Sequence, residues 1–448
     1  MTDTSAPWGR RVSGEGAAMS SSTATPGRQA IDVDPLDLVA PGNYARRGVP
    51  HEAWRRLRAE SPVQFFEPAG YEDFWAVTRH ADIVDIASRP DVFCNSQGIV
   101  LLNDQQIAAN ASGESPLRQM RTIIEMDPPE HRLYRKIASG FFTPKGIDRL
   151  DEIVAESART LIDGLGEEGE CDIIERIAQR HPLRVLGTIL GIDRDDEEHV
   201  LHLTQQLFAS EDPDLQREGE DRTAASYALG MDFYALFDRI IQDRRAHPRD
   251  DLASMLANAM LPSGEPLGPI ETFGYYLIVF SAGHDTTRNA LSGAFDAFVR
   301  HPEQLRLVRD NPELARGAVE EIVRWTTPVN YMKRTALRDA EVRGRTIRAG
   351  ERLVLFYASA NRDEDVFDDP YRFDITRHPN RHLGFGWAEH FCLGAHLARA
   401  SQLALVRELA RRVEVLEYAG EPSQIASSFV VGLKTLPVRY RLRPDPDR

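Results

Sequence analysis

Hydrophobic and polar positions fall into a clear order along the chain. Residues 1–30 are rich in Ser, Thr, Gly and Ala and almost lack large apolar residues, which predicts a flexible tail. From Pro50 the run His-Glu-Ala-Trp-Arg-Arg-Leu-Arg-Ala-Glu-Ser-Pro-Val-Gln-Phe-Phe has helical spacing that leads into a strand. Phe74 to Pro90 again pairs a strand with a helix, alternation giving way to helical spacing. The Gly-, Ser- and Asn-containing stretch from Cys94 to Pro116 reads as a long loop, and such loops in compact domains are usually functional. Beyond it the spacing predicts helices over 129–140, 145–165, 173–190, 196–210, 223–246 and 251–260. A very apolar helix follows at 269–300, with further helices at 302–309 and 312–326. Between 329 and 361 the pattern is strand-like, with Gly344 and Gly350 as turn signals. A Gly-rich loop at 384–394 opens into a helix reaching 413, and short strands finish the chain. There is no internal repeat and no Pro- or Ser-rich linker after residue 40. The expectation is one large domain over 31–448, mainly α with small β-sheets.

Composition narrows the function. With 42% hydrophobic residues in 448, there is material for a deep core, so disorder throughout is excluded. A net charge of −15 argues against a nucleic-acid partner, which needs a surplus of Lys and Arg. It leaves room for a local basic patch that docks one acidic partner. Cys94, Cys171 and Cys392 are too few and too scattered for a disulfide framework, which fits a reducing, cytoplasmic location. No apolar run follows Arg10-Arg11 as a secretory signal requires. The longest apolar stretch, Tyr275 to Phe280, is far short of the ~20 residues that cross a bilayer, so no membrane anchor is expected.

The strongest chemical signal is Phe385-Gly-Trp-Ala-Glu-His-Phe-Cys392-Leu-Gly394, directly before a helix. A lone cysteine is most often a packed core thiol. Here glycines flank it and permit close backbone approach to something flat, and a helix N-terminus stabilises a thiolate. His390 lies two residues earlier, as an anion-binding group would. Without a second nearby Cys or His, a four-ligand metal site is disfavoured. A cysteine hydrolase lacks a pattern for its oxyanion hole. A single axial thiolate on haem iron needs one cysteine only.

The segment resembles the haem-binding loop of the cytochrome P450 monooxygenases, Phe-x-x-Gly-x-(His/Arg)-x-Cys-x-Gly. It matches at Phe385, His390, Cys392 and Gly394 and departs at Ala388, where the family has Gly. If that position needs a positive φ, Ala strains the turn by about 1 kcal/mol. Glu321-Ile-Val-Arg324 is similar to the family's Glu-x-x-Arg. Asn361-Arg362-Asp363 and the run Phe367 to Phe373 stand where the family supplies a third partner and the meander. Ala282-Gly283-His284-Asp285-Thr286-Thr287 resembles its oxygen-activating motif, set in a helix interior where Gly costs about 1 kcal/mol and a charge is expensive unless paired or used.

The resemblance covers about residues 35–445, motifs in order, and implies the following. The fold is the cytochrome P450 fold, the cofactor is haem b, and Cys392 is the metal ligand. Thr286 and Asp285 are the catalytic pair that delivers protons, alongside Ala282 and Gly283. His131, Arg135, Arg334 and His390 bind the haem propionates, with Phe385 and Gly394 completing the cofactor site. Electrons come from NAD(P)H through a ferredoxin reductase and a ferredoxin, which docks at Arg132, Lys136 and Arg399. The substrate is a hydrophobic small molecule, a steroid, terpenoid or branched lipid, as in actinobacterial sterol-side-chain and related terminal hydroxylases. Candidate pocket residues are Ile99, Val100, Leu101, Phe208, Phe280, Ala282, Val329, Asn330 and Val430. A peroxide-driven peroxygenase and a non-catalytic haem module recruiting a carrier-protein partner are the alternatives, and the intact acid–alcohol pair speaks against both.

Overall fold

The computed structural model describes residues 31–111, 122–208 and 222–445, so the expected tail over 1–30 lies outside the described residues. The helices that frame the interior are α1 (Glu130–Ser139), α2 (Asp151–Asp163), α3 (Arg180–Leu190), α4 (Arg222–Ala246), α5 (Pro269–Arg300), α6 (Ala315–Thr326) and α7 (Ala395–Arg412). The central one is α5. Its N-terminal half buries Tyr276 and Phe280 against Phe233 and Phe237 of α4 and near Leu186 and Leu190 of α3. Its C-terminal half buries Leu291, Phe295 and Phe298 with Ile162 of α2, Ile322 of α6 and Leu405 and Leu409 of α7. Apolar residues on nearly every face make it a core helix rather than a surface one.

The strands are β1 (Val63–Phe66), β2 (Phe74–Val77), β3 (Phe93–Cys94), β4 (Glu168–Asp172), β5 (Tyr331–Ala336), β6 (Arg352–Phe356), β7 (Val413–Tyr418) and β8 (Pro437–Leu442). One sheet runs β1-β2-β6-β5-β3, antiparallel except where β2 pairs parallel to β6, with Trp75 opposite Leu353. β6 is central and reads Arg-Leu-Val-Leu-Phe because both of its faces are covered. A second sheet runs β4-β8-β7, all antiparallel. Cys94 sits in β3 opposite Thr335, and Cys171 sits in β4 opposite Val438, where burial pushes its thiol up to about 11. Both are packed thiols.

The loop expected over Cys94 to Pro116 contains a helix, Asp104–Ala111, while residues 112–116 lie outside the described residues. Asn103 and Gln106 cap that helix reciprocally, each side-chain oxygen accepting the other's N–H at 3.1 and 2.9 Å. It buries no side chain, so it leaves no apolar periodicity to find.

Behind the helix bundle, Glu321 and Arg324 are both fully buried on α6 and meet through two 2.7 Å hydrogen bonds. Arg324 also donates to the carbonyls of Asn361, Pro370 and Arg372 at 2.9, 2.8 and 3.1 Å. Glu321 accepts from the Asp374 N–H at 2.9 Å and from Asn380 Nδ2 at 3.0 Å. The third charged partner is Arg377, 3.3 Å from Glu321, and not the expected Arg362. Arg362 instead donates to the carbonyls of Arg324 and Trp325 at 2.9 and 2.7 Å and stacks over the Trp325 ring. Burial and the neighbouring Arg324 push its guanidinium down to about 9. Asn361 passes the frame onward, its Oδ1 accepting the Leu383 N–H at 2.7 Å where the cysteine loop begins.

Removing one member of a buried ion pair strands the other charge, which costs about 3–5 kcal/mol. Arg324→Ala is expected to lose about that much unfolding free energy in urea titrations followed by tryptophan fluorescence.

Candidate functional site

The cysteine loop is held between α6 and α7. A Cβ at Gly384 would lie 2.5 Å from Val323 Cγ1, so glycine is what lets the loop lie against α6. Gly386 has φ 72°, and the Gly386 N–H donates to Leu383 O at 2.8 Å. Ala388 has φ 55°, the left-handed conformation that its replacement of glycine makes strained. The chain then returns, and the Cys392 N–H donates to Phe385 O at 2.8 Å. Burial pushes the Cys392 thiol up, while the Gly394 N–H, Arg135 and Arg399 favour its thiolate.

Cys392 lines an internal cavity of about 1530 Å³, including its mouth. Ile278, Val279, Ala282, Gly283 and Thr286 of α5 form one wall. A Cβ at Gly283 would meet Leu186 of α3 at 3.0 Å, so this glycine also permits the close α5–α3 packing. Thr286 Oγ1 donates to Ala282 O at 2.6 Å, which leaves its lone pairs free to accept.

One end of the cavity gathers His131, Arg135, Arg334 and His390, with no carboxylate among the lining residues. The rings of His131 and His390 lie 4.2 Å apart. Glu389 receives Arg132 and His131, at 2.9 and 3.1 Å, and their hydrogen bonds hold its carboxyl down to about 2. His390 Nε2 is buried without a hydrogen-bond partner. Burial, Arg334 and His131 together push this imidazole down to about 3. Two guanidinium groups and an orphaned imidazole nitrogen around an apolar cavity suit a flat group bearing two carboxylates. These residues fit haem: Arg135, Arg334, His131 and His390 would hold its two propionates and Cys392 would ligate its iron.

The expected cofactor residues His131, Arg135, Ala282, Gly283, Arg334, Phe385, His390, Cys392 and Gly394 all line this cavity, as does Thr286. Val329 lines it too, but most of the other expected substrate-pocket residues do not. Phe280 is turned about 200° around the helix from Ala282 and packs on Phe233 and Phe237. Asn330 is buried and donates to Tyr44 Oη and Ser428 O, and Val430 lies behind Val329 as its bridge partner. Residues 99–101 run beside β5, the Ile99 carbonyl accepting from Lys333 N at 2.7 Å. Leu101 is buried with Trp54 and Phe356, and neither Ile99 nor Val100 reaches the cavity. The side chain of Phe208 is outside the described residues. The wall is built instead by Ile123, Ile124, Val185, Leu186, Ile278, Val279 and Met332. Ile278 and Val279 were legible, since 278, 279, 282, 283, 286 and 290 share one helical face.

Asp285 is one residue from Thr286 yet faces away from the cavity. It lines a separate polar cleft, its Oδ2 accepting from Asn289 at 3.0 Å and its Oδ1 4.0 Å from Arg288. Burial raises its carboxyl despite Arg288 and Asn289.

A mainly helical fold around an apolar cavity, with one cysteine on its wall and a cationic end, is the arrangement of a haem-thiolate oxygenase. The comparisons with known proteins agree. The cytochrome P450 family pattern matches residues 227–442. Cytochrome P450-terp of Pseudomonas sp. is 40% identical over 90% of this chain and 96% of its own length. A methyl-branched lipid omega-hydroxylase of Mycobacterium tuberculosis is 35% identical over 92% of this chain and 94% of its own. The crystal structure of CYP108D1 from Novosphingobium aromaticivorans superimposes with a TM-score of 0.83 at 36% identity, covering 92% of this chain and all of that one. The chain belongs to the cytochrome P450 family of monooxygenases, whose members bind haem iron through a cysteine thiolate. None of the described helices is long and apolar enough to cross a membrane.

Restoring glycine at the strained position relieves about 1–2 kcal/mol of backbone strain and gives back part of it as unfolded-state entropy. Ala388→Gly is expected to raise unfolding free energy by about 0.5–1 kcal/mol in urea titration of the holoprotein.

Proposed function

We propose that this protein hydroxylates a branched, apolar small molecule of the terpenoid, steroid or lipid kind, with Cys392 as the haem ligand and a ferredoxin as electron donor. The observation that carries it is the placing of Cys392, Thr286 and the four cationic or imidazole groups on one apolar-walled cavity. Haem held by a thiolate supplies activation of dioxygen and insertion of one oxygen atom into a C–H bond. The chain's own part is to bind, orient and deliver protons. Arg135, Arg334, His131 and His390 would hold the propionates and replace the water those carboxylates lose on burial. Ile123, Ile124, Val185, Ile278, Val279 and Met332 carry no polar side chain, so they orient a substrate by shape alone and exclude water. Thr286 Oγ1 accepts a hydrogen bond from the reacting group while donating its own hydrogen to Ala282 O. Asp285, on the other side of the helix, takes up protons from the polar cleft.

The face beside the cysteine loop supports the ferredoxin reading in modified form. Arg132 is exposed but neutralised by Glu389, and Arg399 by Glu320 at 2.6 Å. Lys136 is exposed at the end of α1, and Leu133, Trp387 and Phe391 are exposed apolar groups of the same region. A partner would therefore meet a small apolar patch with modest positive charge.

Two variants test the assignment. Cys392→Ser is expected to abolish the strongly red-shifted Soret band of the reduced carbonyl complex, and its retention would remove Cys392 as ligand. Thr286→Ala is expected to keep that band but divert NADH oxidation away from hydroxylated product by about ten-fold or more, read as product formed per NADH.

A further inference from the structure

The face of α5 turned from the cavity borders a polar cleft of about 1220 Å³, including its open mouth. Glu175, Glu198 and His202 stand exposed at its mouth, while His284, Asp285 and Arg288 are buried on its inner wall. His284 meets the Gln179 carbonyl through Nε2 at 3.0 Å. A carbonyl only accepts, so Nε2 carries the hydrogen and Nδ1 is a lone pair. That Nδ1 is buried and has no hydrogen-bond partner. Arg288 donates from Nη1 to Asn289 Oδ1 at 2.8 Å, but its Nε–H is likewise buried and unpartnered.

The two orphaned atoms are complementary, one acceptor and one donor. They belong to residues four apart, which stand one turn above the other on the same helix face. Leaving both unmet would cost about 1–3 kcal/mol each. One water between them would satisfy both, donating one hydrogen to Nδ1 and accepting from Nε–H, with its second hydrogen free. Asp285, between them in sequence, lines the same cleft.

We propose that His284 and Arg288 hold one water at the inner end of this cleft, and that His284 thereby positions solvent protons for uptake at Asp285. The proposal rests on the reading of Asp285 and Thr286 as the proton-delivering pair. His284 is a positioning residue, since it touches neither substrate nor cofactor. Burial, opposed by the Gln179 carbonyl and aided by Arg288, pushes its imidazole down to about 4, so Nδ1 stays an acceptor through the neutral range. The Phe280 ring, stacked 5.9 Å away, keeps the imidazole plane fixed.

The test compares wild type, His284→Phe and His284→Gln as haem-loaded proteins. Phe keeps the stacking volume and loses both nitrogens, whereas Gln retains a donor and an acceptor. In crystal structures an ordered water is expected within about 3.2 Å of His284 Nδ1 and Arg288 Nε in wild type, retained in Gln and lost in Phe. With a surrogate ferredoxin, its reductase and NADH, the solvent deuterium isotope effect on NADH oxidation is expected to rise about two-fold or more in Phe and to return towards wild type in Gln. The reduced carbonyl band should be the same in all three. Absence of the water from wild type, or an isotope effect unmoved by Phe, overturns the proposal. Loss of the red-shifted carbonyl band from wild type overturns the haem-thiolate reading instead, and leaves the water to be judged from the electron density.

Discussion

Two opposite charges wholly removed from water, those of Glu321 and Arg324, are tolerable only because the surrounding backbone meets their remaining donors and acceptors. Meeting them fixes where residues 361, 370, 372 and 374 must lie. Asn361 then anchors Leu383, and from there the loop has few ways to reach α7. The position of Cys392 is thus set by an electrostatic debt incurred far from the chemistry. The pair adds little net stability compared with an apolar substitute, and its value lies in admitting a single arrangement of the loop.

A second constraint is the angular period of α5. The rotation of α5 carries Thr286 to the apolar cavity and turns Asp285 to the other side of the helix. Thr286, Ala282 and Gly283 look into the apolar cavity, while Asp285, His284 and Arg288 look into the polar cleft. One helix therefore separates an apolar-walled cavity from a polar cleft by its own thickness. The acid and the alcohol, adjacent in sequence, stand on opposite sides of that helix. Phe280, on the buried side of the same helix, belongs to neither compartment.

The cationic end of the cavity shows the opposite economy: Arg135 and Arg334 donate to the carbonyls of Phe391 and Lys333, and His390 Nε2 is buried without a hydrogen-bond partner. His390 is pushed far down by burial and by Arg334 and His131, against the opposing pull of Glu389, whereas Glu389 itself is pulled down by Arg132 and His131. Such an imbalance is sensible only when a dianionic group completes it. The strained Ala388 belongs to the same loop, where the backbone path is imposed by the frame behind it rather than chosen by the residue.

Much of this was legible in the residues alone. Long periodic helices such as α4 and α5, the strand-like stretch from 329 to 361, and every residue proposed for haem contact follow from spacing and from resemblance to a known pattern, because those signals are local. The helix at Asp104–Ala111 was missed because it buries nothing, and Arg377 was missed as partner of Glu321 because 56 residues separate them. Val329 lines the cavity, yet Phe280, Asn330 and Val430 pack away from it, since proximity to a motif says nothing about which way a side chain turns. By itself the sequence determined the family, the ligand type and the order of elements, all properties of short-range pattern. Which side chains share a cavity, which charges stay unpaired, and that Asp285 and Thr286 face different compartments were decided only by tertiary structure, because they depend on how distant segments rotate and close upon one another.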